Sequence, residues 1–427
     1  MKYKKIKFIT FALSALLVLA LSGCAPMDGA PADTTEAKVV SAGLVSPDGL
    51  FYDVYDNGEV TLTGRRDGTR DLIIPDEIDG RPVTAIGNEA FAYDGYLVYV
   101  RLGANLRTIG ENAFYGCTEL VRVDATAALE SIEFFAFYGC SILSSVNGAT
   151  GLVKIFDSAF WACPSLCKMD FPETLKEIGA GAFYGGSSLY EVKLPHGDIV
   201  IGPQAFHGCI SLYSVELGGL REIPDEAFYN CASLASIDLS EISSVGDRAF
   251  YGCAALSLVD EDSTLEEVGS SAFYGSPWLA SLTDEFVVVG DGVLIKYNGG
   301  GGSVKLPRGV KYVSDAFAEN VSITSVEISG KATVIGTNAF YACRALESVA
   351  ISADVSFIDD CAFMACSRLR TLYLPDSLEK IGDSAFSGCL ILSTVKYAGD
   401  AEDFAKINVS LGNTHMTGAN IAYGARP

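Results

Sequence analysis

Ile109-Gly-Glu-Asn-Ala-Phe-Tyr-Gly-Cys-Thr-Glu-Leu120, continued by Val121-Arg-Val123, decides how this sequence folds, because it returns with variations along most of the chain. Thirteen Ala-Phe pairs mark the copies, from Ala90-Phe91 to Ala385-Phe386. Their phenylalanines follow one another at 23 residues. The exceptions are two steps of 22, Phe206 to Phe228 and Phe228 to Phe250, and one step of 44 from Phe273 to Phe317. The long step is a doubled one, so one copy has diverged. A fixed period of this size marks a solenoid, in which each coil buries its apolar side only against its neighbours.

Leu189-Tyr-Glu-Val-Lys-Leu-Pro195 shows the strand inside a copy. Val192 and Leu194 alternate with Glu191 and Lys193, so one pair faces the core and the other faces solvent. Pro195 ends the strand. Ile199 and Ile201 then lead to Gly202 and the Ala205-Phe206 turn. A glycine after Ile or Val recurs, for example at Gly110, Gly179 and Gly246. Either a positive φ or a close backbone approach would select it. The Ala-Phe pair reads as a core plug: alanine lets the next coil come near and phenylalanine fills the middle.

The pattern Ile-Gly-x-x-Ala-Phe-x-Gly-Cys-x-x-Leu-x-x-Val-x-Leu-Pro resembles the BspA-like branch of the leucine-rich-repeat family, bacterial surface proteins. The resemblance runs over about residues 44–427. It implies a β-rich repeat solenoid of short strands and turns. It also implies adhesion to host or microbial proteins, or engagement of immune receptors. It brings no catalytic residue.

The two ends differ from the repeats. Lys2, Lys4, Lys5 and Lys7 precede an apolar run from Phe8 to Leu21, the layout of a secretory signal over residues 1–23. The run is too short for a mature membrane span. Leu21-Ser22-Gly23-Cys24 resembles the bacterial lipobox, which implies lipidation of Cys24 and a position on the outer face of the bacterial cell envelope. With no wall-sorting signal at the other end, that lipid is the expected anchor and the only expected link to membrane. Residues 24–43, rich in Ala, Pro, Asp and Thr, read as a flexible tether. Residues 44–90 read as an N-terminal cap and first repeat. Within them Phe51–Tyr55 and Glu59–Thr63 flank Asp56-Asn57-Gly58, a hairpin signal. Such a hairpin would cover the open end of the stack. Residues 91–395 are the expected solenoid and 396–427 a C-terminal cap, with a short helical turn at Ala401–Ile407.

Inside the doubled step, Phe286–Val289 and Val293–Tyr297 flank Gly290-Asp291-Gly292, an inserted hairpin over about 284–307. The glycine run 299–302 reads as a loop tip. Nine cysteines share one repeat position, among them Cys117, Cys140 and Cys163, while Cys167 and Cys361 lie elsewhere. With Cys24 lipidated, eleven remain, so complete pairing is impossible. Equivalent positions on stacked strands lie ~4.8 Å apart, wider than the ~3.8 Å a disulfide prefers between Cβ atoms. Buried thiols are therefore expected.

Composition narrows function. The formal charge is −23, and −27 once the four signal-region lysines are removed. That balance argues against nucleic acid and anionic membrane and favours basic or cation-bridged partners. Three scattered histidines, His196, His207 and His415, do not make an active site. No Gly-x-Ser-x-Gly, His-Glu-x-x-His or P-loop is present, and no carboxylate pair stands apart from the repeat. No enzyme, metal or cofactor is expected.

Two surfaces are candidates for binding. The solvent side of the strands carries Arg122, Asp124, Lys168, Asp170, Glu191, Lys193, Glu216, Asp238 and Asp260. Solenoids bind on such extended faces, and Glu216, Asp238 and Asp260 should form an acidic column. One residue past each Ala-Phe runs an aromatic wall: Tyr115, Tyr138, Trp161, Tyr184, His207, Tyr229, Tyr251 and Tyr274. It reads as a ladder of half-buried rings or as a stacking platform for sugars. The expected function is a lipid-anchored surface binding protein, an adhesin or receptor-like scaffold for an extracellular protein. The alternative is a carbohydrate-binding or enzyme-associated surface module.

Overall fold

In a computed structural model, the residues described are 37–425 apart from 67 and 261–263. The secretory signal, Cys24 and the first part of the tether lie outside them. Each repeat makes one coil with three sides. The first side is a strand such as Arg122–Asp124 or Glu191–Lys193. The second is a two-residue strand such as Ser131–Ile132. The third is the turn that holds Ala-Phe. Stacked coils pair in parallel on both strand sides. Val100, Val123, Val146 and Met169 fall in register on the first. Ile86, Ile109, Ile132, Ile155, Ile178 and Ile201 do so on the second. All ten side chains are buried. The alternation read in the sequence is thus the inside–outside alternation of the coil.

The turn side is held by hydrogen bonds between coils. Phe114 N–H donates to Ala136 O and Phe137 N–H to Ala159 O, 2.8 Å each. Behind them the phenylalanine rings stack 5.1–5.5 Å apart from Phe114 to Phe273. The glycine after Ile or Val is selected by close approach. A Cβ on Gly110 would lie 2.7 Å from Ile86 O. The left-handed residues are others, chiefly the one before Ala, such as Asn112 (φ 55°), and the one two past Phe, such as Gly116 (φ 66°).

The nine repeat cysteines are free and buried, and Cys167 and Cys361 are free and half-buried. Each of the nine donates its S–H to the phenylalanine carbonyl of the preceding coil, as Cys140 Sγ does to Phe114 O at 3.1 Å. That carbonyl also accepts Cys117 N–H at 3.1 Å. The thiol therefore ties two coils together, a role beyond the small buried filler. Burial pushes the Cys117 and Cys163 thiols up to about 12, so they stay protonated and unreactive.

At the N-terminal end the hairpin around Asn57-Gly58 pairs Leu50–Tyr55 with Val60–Arg65, and the latter continues in parallel into Arg81–Ile86. The tether reading ran too far. Val39–Val45 is a strand, antiparallel to Leu50–Tyr55 at the sheet edge. All seven of its residues are exposed. A strand with neither face in the core has no reason to alternate, so the sequence did not reveal it. At the other end, Asn408–Val409 and Asn420–Ala422 extend the two sheets. The helical turn is present as Ala401–Phe404, shorter than the expected 401–407. Buried Asn413 supplies a side-chain acceptor to Phe386 N–H at 3.0 Å, where another coil's carbonyl would otherwise stand.

The doubled step holds the expected hairpin, Phe286–Val289 antiparallel to Val293–Tyr297. Its second strand pairs in parallel with Tyr312–Val313 and so takes a coil's place on that side. Val293 and Ile295 belong to the core of the preceding coils and Leu294 to the core of the following ones. Both faces of this strand are covered, which is why its apolar residues run consecutively. The hairpin is thus a seam between two cores. Where an Ala-Phe is missing, Trp278 and Tyr297 fill in, 4.8 and 4.9 Å from Phe273 and Phe317.

Candidate functional site

The strand face is built from outward residues of successive coils. On the first coils its charges satisfy one another. Arg122 grips Asp124 with two hydrogen bonds of 2.7 and 2.9 Å, and Tyr99 Oη donates to the same carboxylate at 2.8 Å. These partners hold the Asp124 carboxyl below the usual range, Arg122 contributing most. Lys168 stands 3.3 Å from Asp170. Lys193 bridges Glu191 at 3.3 Å and Glu216 at 3.1 Å.

Further along, the expected acidic column is broken. Both sheets are interrupted between Ser214–Glu216 and Ser236–Asp238, and between Val200–Ile201 and Glu222–Ile223. There the repeat step falls from 23 to 22 residues. Asp238 and Asp260 are direct register partners. Glu216 sits across the interruption and shares Lys193 with Glu191. Three carboxylates in a row are therefore two in register and one in an ion pair.

What the sequence reading missed on this face is a pair of tyrosines, which add to the expected outward Leu258. Tyr190 and Tyr213 directly precede two of the strands and lie parallel, 6.1 Å apart. Tyr213 is 54% exposed and Leu258, in register with Ser236, is 62% exposed. Leu258 stands where the alternation calls for an outward polar residue, whereas Tyr190 and Tyr213 fall at the inward places of the alternation and are exposed by the turn before the strand.

The aromatic wall is a ladder. Trp161, Tyr184, His207, Tyr229, Tyr251 and Tyr274 stack face to face, 3.9–5.0 Å apart and within 19° of parallel. Tyr115 and Tyr138 form a second stacked pair at 4.7 Å. A sugar platform needs open ring faces, and these faces cover one another. Only ring edges line the wall, save at the ladder's end, so the platform expectation fails for its interior. Burial keeps His207 below the ordinary histidine range, so it joins the stack as a neutral ring.

A third row carries side chains that bridge coils just past the glycine. Asp225 Oδ1 accepts Asp247 N–H and Asp247 Oδ1 accepts Ser270 N–H, 2.7 Å each. Asp360 does the same for Asp383 N–H at 2.6 Å. Burial raises the Asp247 carboxyl to about 6 despite its backbone donor. At the seam the device changes. Ser314-Asp315 holds two residues where other copies hold three, and Asp315 Oδ2 accepts Ser271 N–H at 2.7 Å. Ser271 and Ser270 hydroxyls add to the same oxygen at 3.1 and 3.3 Å. Like Asn413, Asp315 replaces a backbone carbonyl that the interrupted stack does not supply.

With this geometry established, six copies of a family described as BspA type Leucine rich repeat region match residues 84–213, 177–287 and 297–408. The chain is similar to a leucine rich cell surface protein from Faecalibacterium prausnitzii A2-165, with 24% identity over 88% of this chain and 99% of that one and a TM-score of 0.43. A leucine-rich repeat protein from Bacteroides ovatus ATCC 8483 shows 21% identity over 88% of this chain and 98% of that one, TM-score 0.46. A leucine rich repeat protein from T. pallidum shows 28% identity over 50% of this chain and 90% of that one, TM-score 0.38. No curated protein matches.

Proposed function

Because this chain belongs to the BspA-type leucine-rich repeat family, we propose that it is a lipid-anchored surface scaffold that binds an extracellular protein, host or microbial, on its strand face. The observation that carries the reading is the patch around Asp238 and Asp260. Two register-paired carboxylates stand beside exposed Leu258, with Tyr190 and Tyr213 preceding nearby strands. Aromatic anchors amid polar groups suit a protein contact. Neither acid makes an ion pair among the described residues, which suits a basic partner that the −23 formal charge would also steer. The earlier coils, whose charges are internally matched, offer less to a partner.

Asp238→Asn with Asp260→Asn should leave the fold intact or slightly firmer, since like charges directly opposite on neighbouring strands are unfavourable. The partner is to be captured by crosslinking on intact cells, then titrated against both forms at several salt concentrations. The double variant should bind more weakly and with a flatter salt dependence. Equal affinity and equal salt slope would exclude this patch as the contact.

The anchor rests on Leu21-Ser22-Gly23-Cys24 and the charged, apolar leader before it. Cys24→Ala should leave an uncleaved precursor or release the protein from membranes, as read by fractionation and immunoblotting. A cleaved variant that stays membrane-bound would rule the lipid out.

A further inference from the structure

The aromatic ladder runs into the seam, and a cavity of 630 Å3 opens where it stops. Tyr274 is the last ring. Tyr251 covers one of its faces at 5.0 Å, no ring covers the other among the described residues, and the residue is 59% exposed. The hairpin coil brings no Ala-Phe turn. The next coil carries Ala318 where the ladder calls for a ring, and the ladder position fills again at Tyr341. Tyr274, Ala318 and Tyr341 all line the cavity. The gap is thus flanked by two tyrosines with only a methyl side chain in the coil between them.

The charges around the gap are unbalanced. Asp315, Glu319 and Lys296 line it. Lys296 Nζ is drawn away by the carbonyls of Leu279 and Leu282, 2.9 Å each. Asp315 receives only neutral donors, from Ser270, Ser271 and Ser314. Glu319 is exposed and makes no ion pair among the described residues. The open face of Tyr274 beside the exposed Glu319, which lacks a cation among the described residues, defines what would fill the space: a flat, positively charged group.

We propose that this cavity receives the guanidinium of an arginine side chain presented by the protein's partner. A guanidinium stacks on a tyrosine face as a neighbouring ring would, with added attraction from its charge. Its fork of N–H donors matches a carboxylate edge. A phosphate-bearing ligand would meet repulsion from Glu319. A lysine ammonium would match the charge but offers no flat face to the ring. The proposal rests on the protein-binding reading and adds to it the chemistry of one anchor.

The test uses the purified full-length protein and N-acetyl-arginine amide, followed by NMR titration. The citrulline analogue has nearly the same shape without the charge, and methyl glucopyranoside tests a sugar. Saturable binding of the arginine probe, at least ten-fold stronger than of the other two, is expected. Ala318→Tyr should complete the ladder, keep or raise the melting temperature and abolish binding. Glu319→Gln, a change at an exposed residue, should weaken binding several-fold with the fold unchanged. Equal binding of citrulline, preference for the glucoside, or undiminished arginine binding by Ala318→Tyr would overturn the proposal. A captured partner together with no arginine binding would sink the cavity and leave the strand face standing. Arginine binding with no protein captured on cells would do the reverse.

Discussion

Phe183→Ala should cost ~3–5 kcal/mol, the range for a phenylalanine removed from a packed core. The ring is 1% exposed. It lies parallel between Phe160 at 5.2 Å and Phe206 at 5.4 Å, and Phe171 meets it edge-on at 5.5 Å. Alanine would take one neighbour from each of three rings. The coil cannot collapse to fill the space, because Phe183 N–H is held by Ala205 O at 2.8 Å and the backbone spacing is fixed. Each coil depends on its neighbours, so the damage should start locally. Hydrogen exchange should show coils near Phe160 and Phe206 opening first, while those beyond the seam keep their protection. Denaturant unfolding gives the total. A loss under ~1 kcal/mol, far below that range, would mean that the ring is not the plug between coils.

The second large effect is expected at Gly179, where a single methyl group should destabilise by ~1–3 kcal/mol or more, as overpacking does. An added Cβ would lie 2.3 Å from Asp157 Oδ1, 2.4 Å from Asp157 N and 2.6 Å from Phe156 C. Two of these atoms are backbone and cannot swing aside. Relief would require the coils to part, at the expense of the 2.8 Å bond from Gly179 N–H to Ile155 O. Gly185→Ala is the control. There φ is +74° and nothing lies within 4 Å of the added atom. Only left-handed strain remains, ~1–2 kcal/mol for an L-residue. Thermal or urea unfolding of both variants separates crowding from conformation. A larger loss at Gly185 than at Gly179 would show that conformation, and not contact between coils, selects the repeat glycine.

The repeat carried most of the fold in plain sight. A period of 23, an Ala-Phe plug and alternation around Val192 suffice to lay out coils, because each coil meets only copies of itself. What stayed hidden depends on pairings between coils. The acidic column required unbroken pairing, and both sheets are interrupted beside Glu216. Lys193 then takes Glu216. The aromatic wall was legible as a row, but whether its rings show faces or edges is set by stacking distance. The strand Val39–Val45 was invisible for lack of a buried face. Asp315 and Asn413 gave no pattern, because each occurs once, where the pattern stops.

The equal step has a consequence for how such a gene changes over generations. Coils that exchange the same bonds with either neighbour are interchangeable, and tandem copies in DNA recombine out of register. Loss or gain of one 23-codon unit within the run from Phe114 to Phe160 would rejoin Phe column, thiol row and both sheets without a misfit. The seam has no such freedom. Val293 and Ile295 match the preceding core and Leu294 the following one, and Asp315 fits only the coil that holds Ser271. Length should therefore drift in the regular arms, while the distance from Tyr274 to Tyr341 stays fixed in lineages that keep the joint.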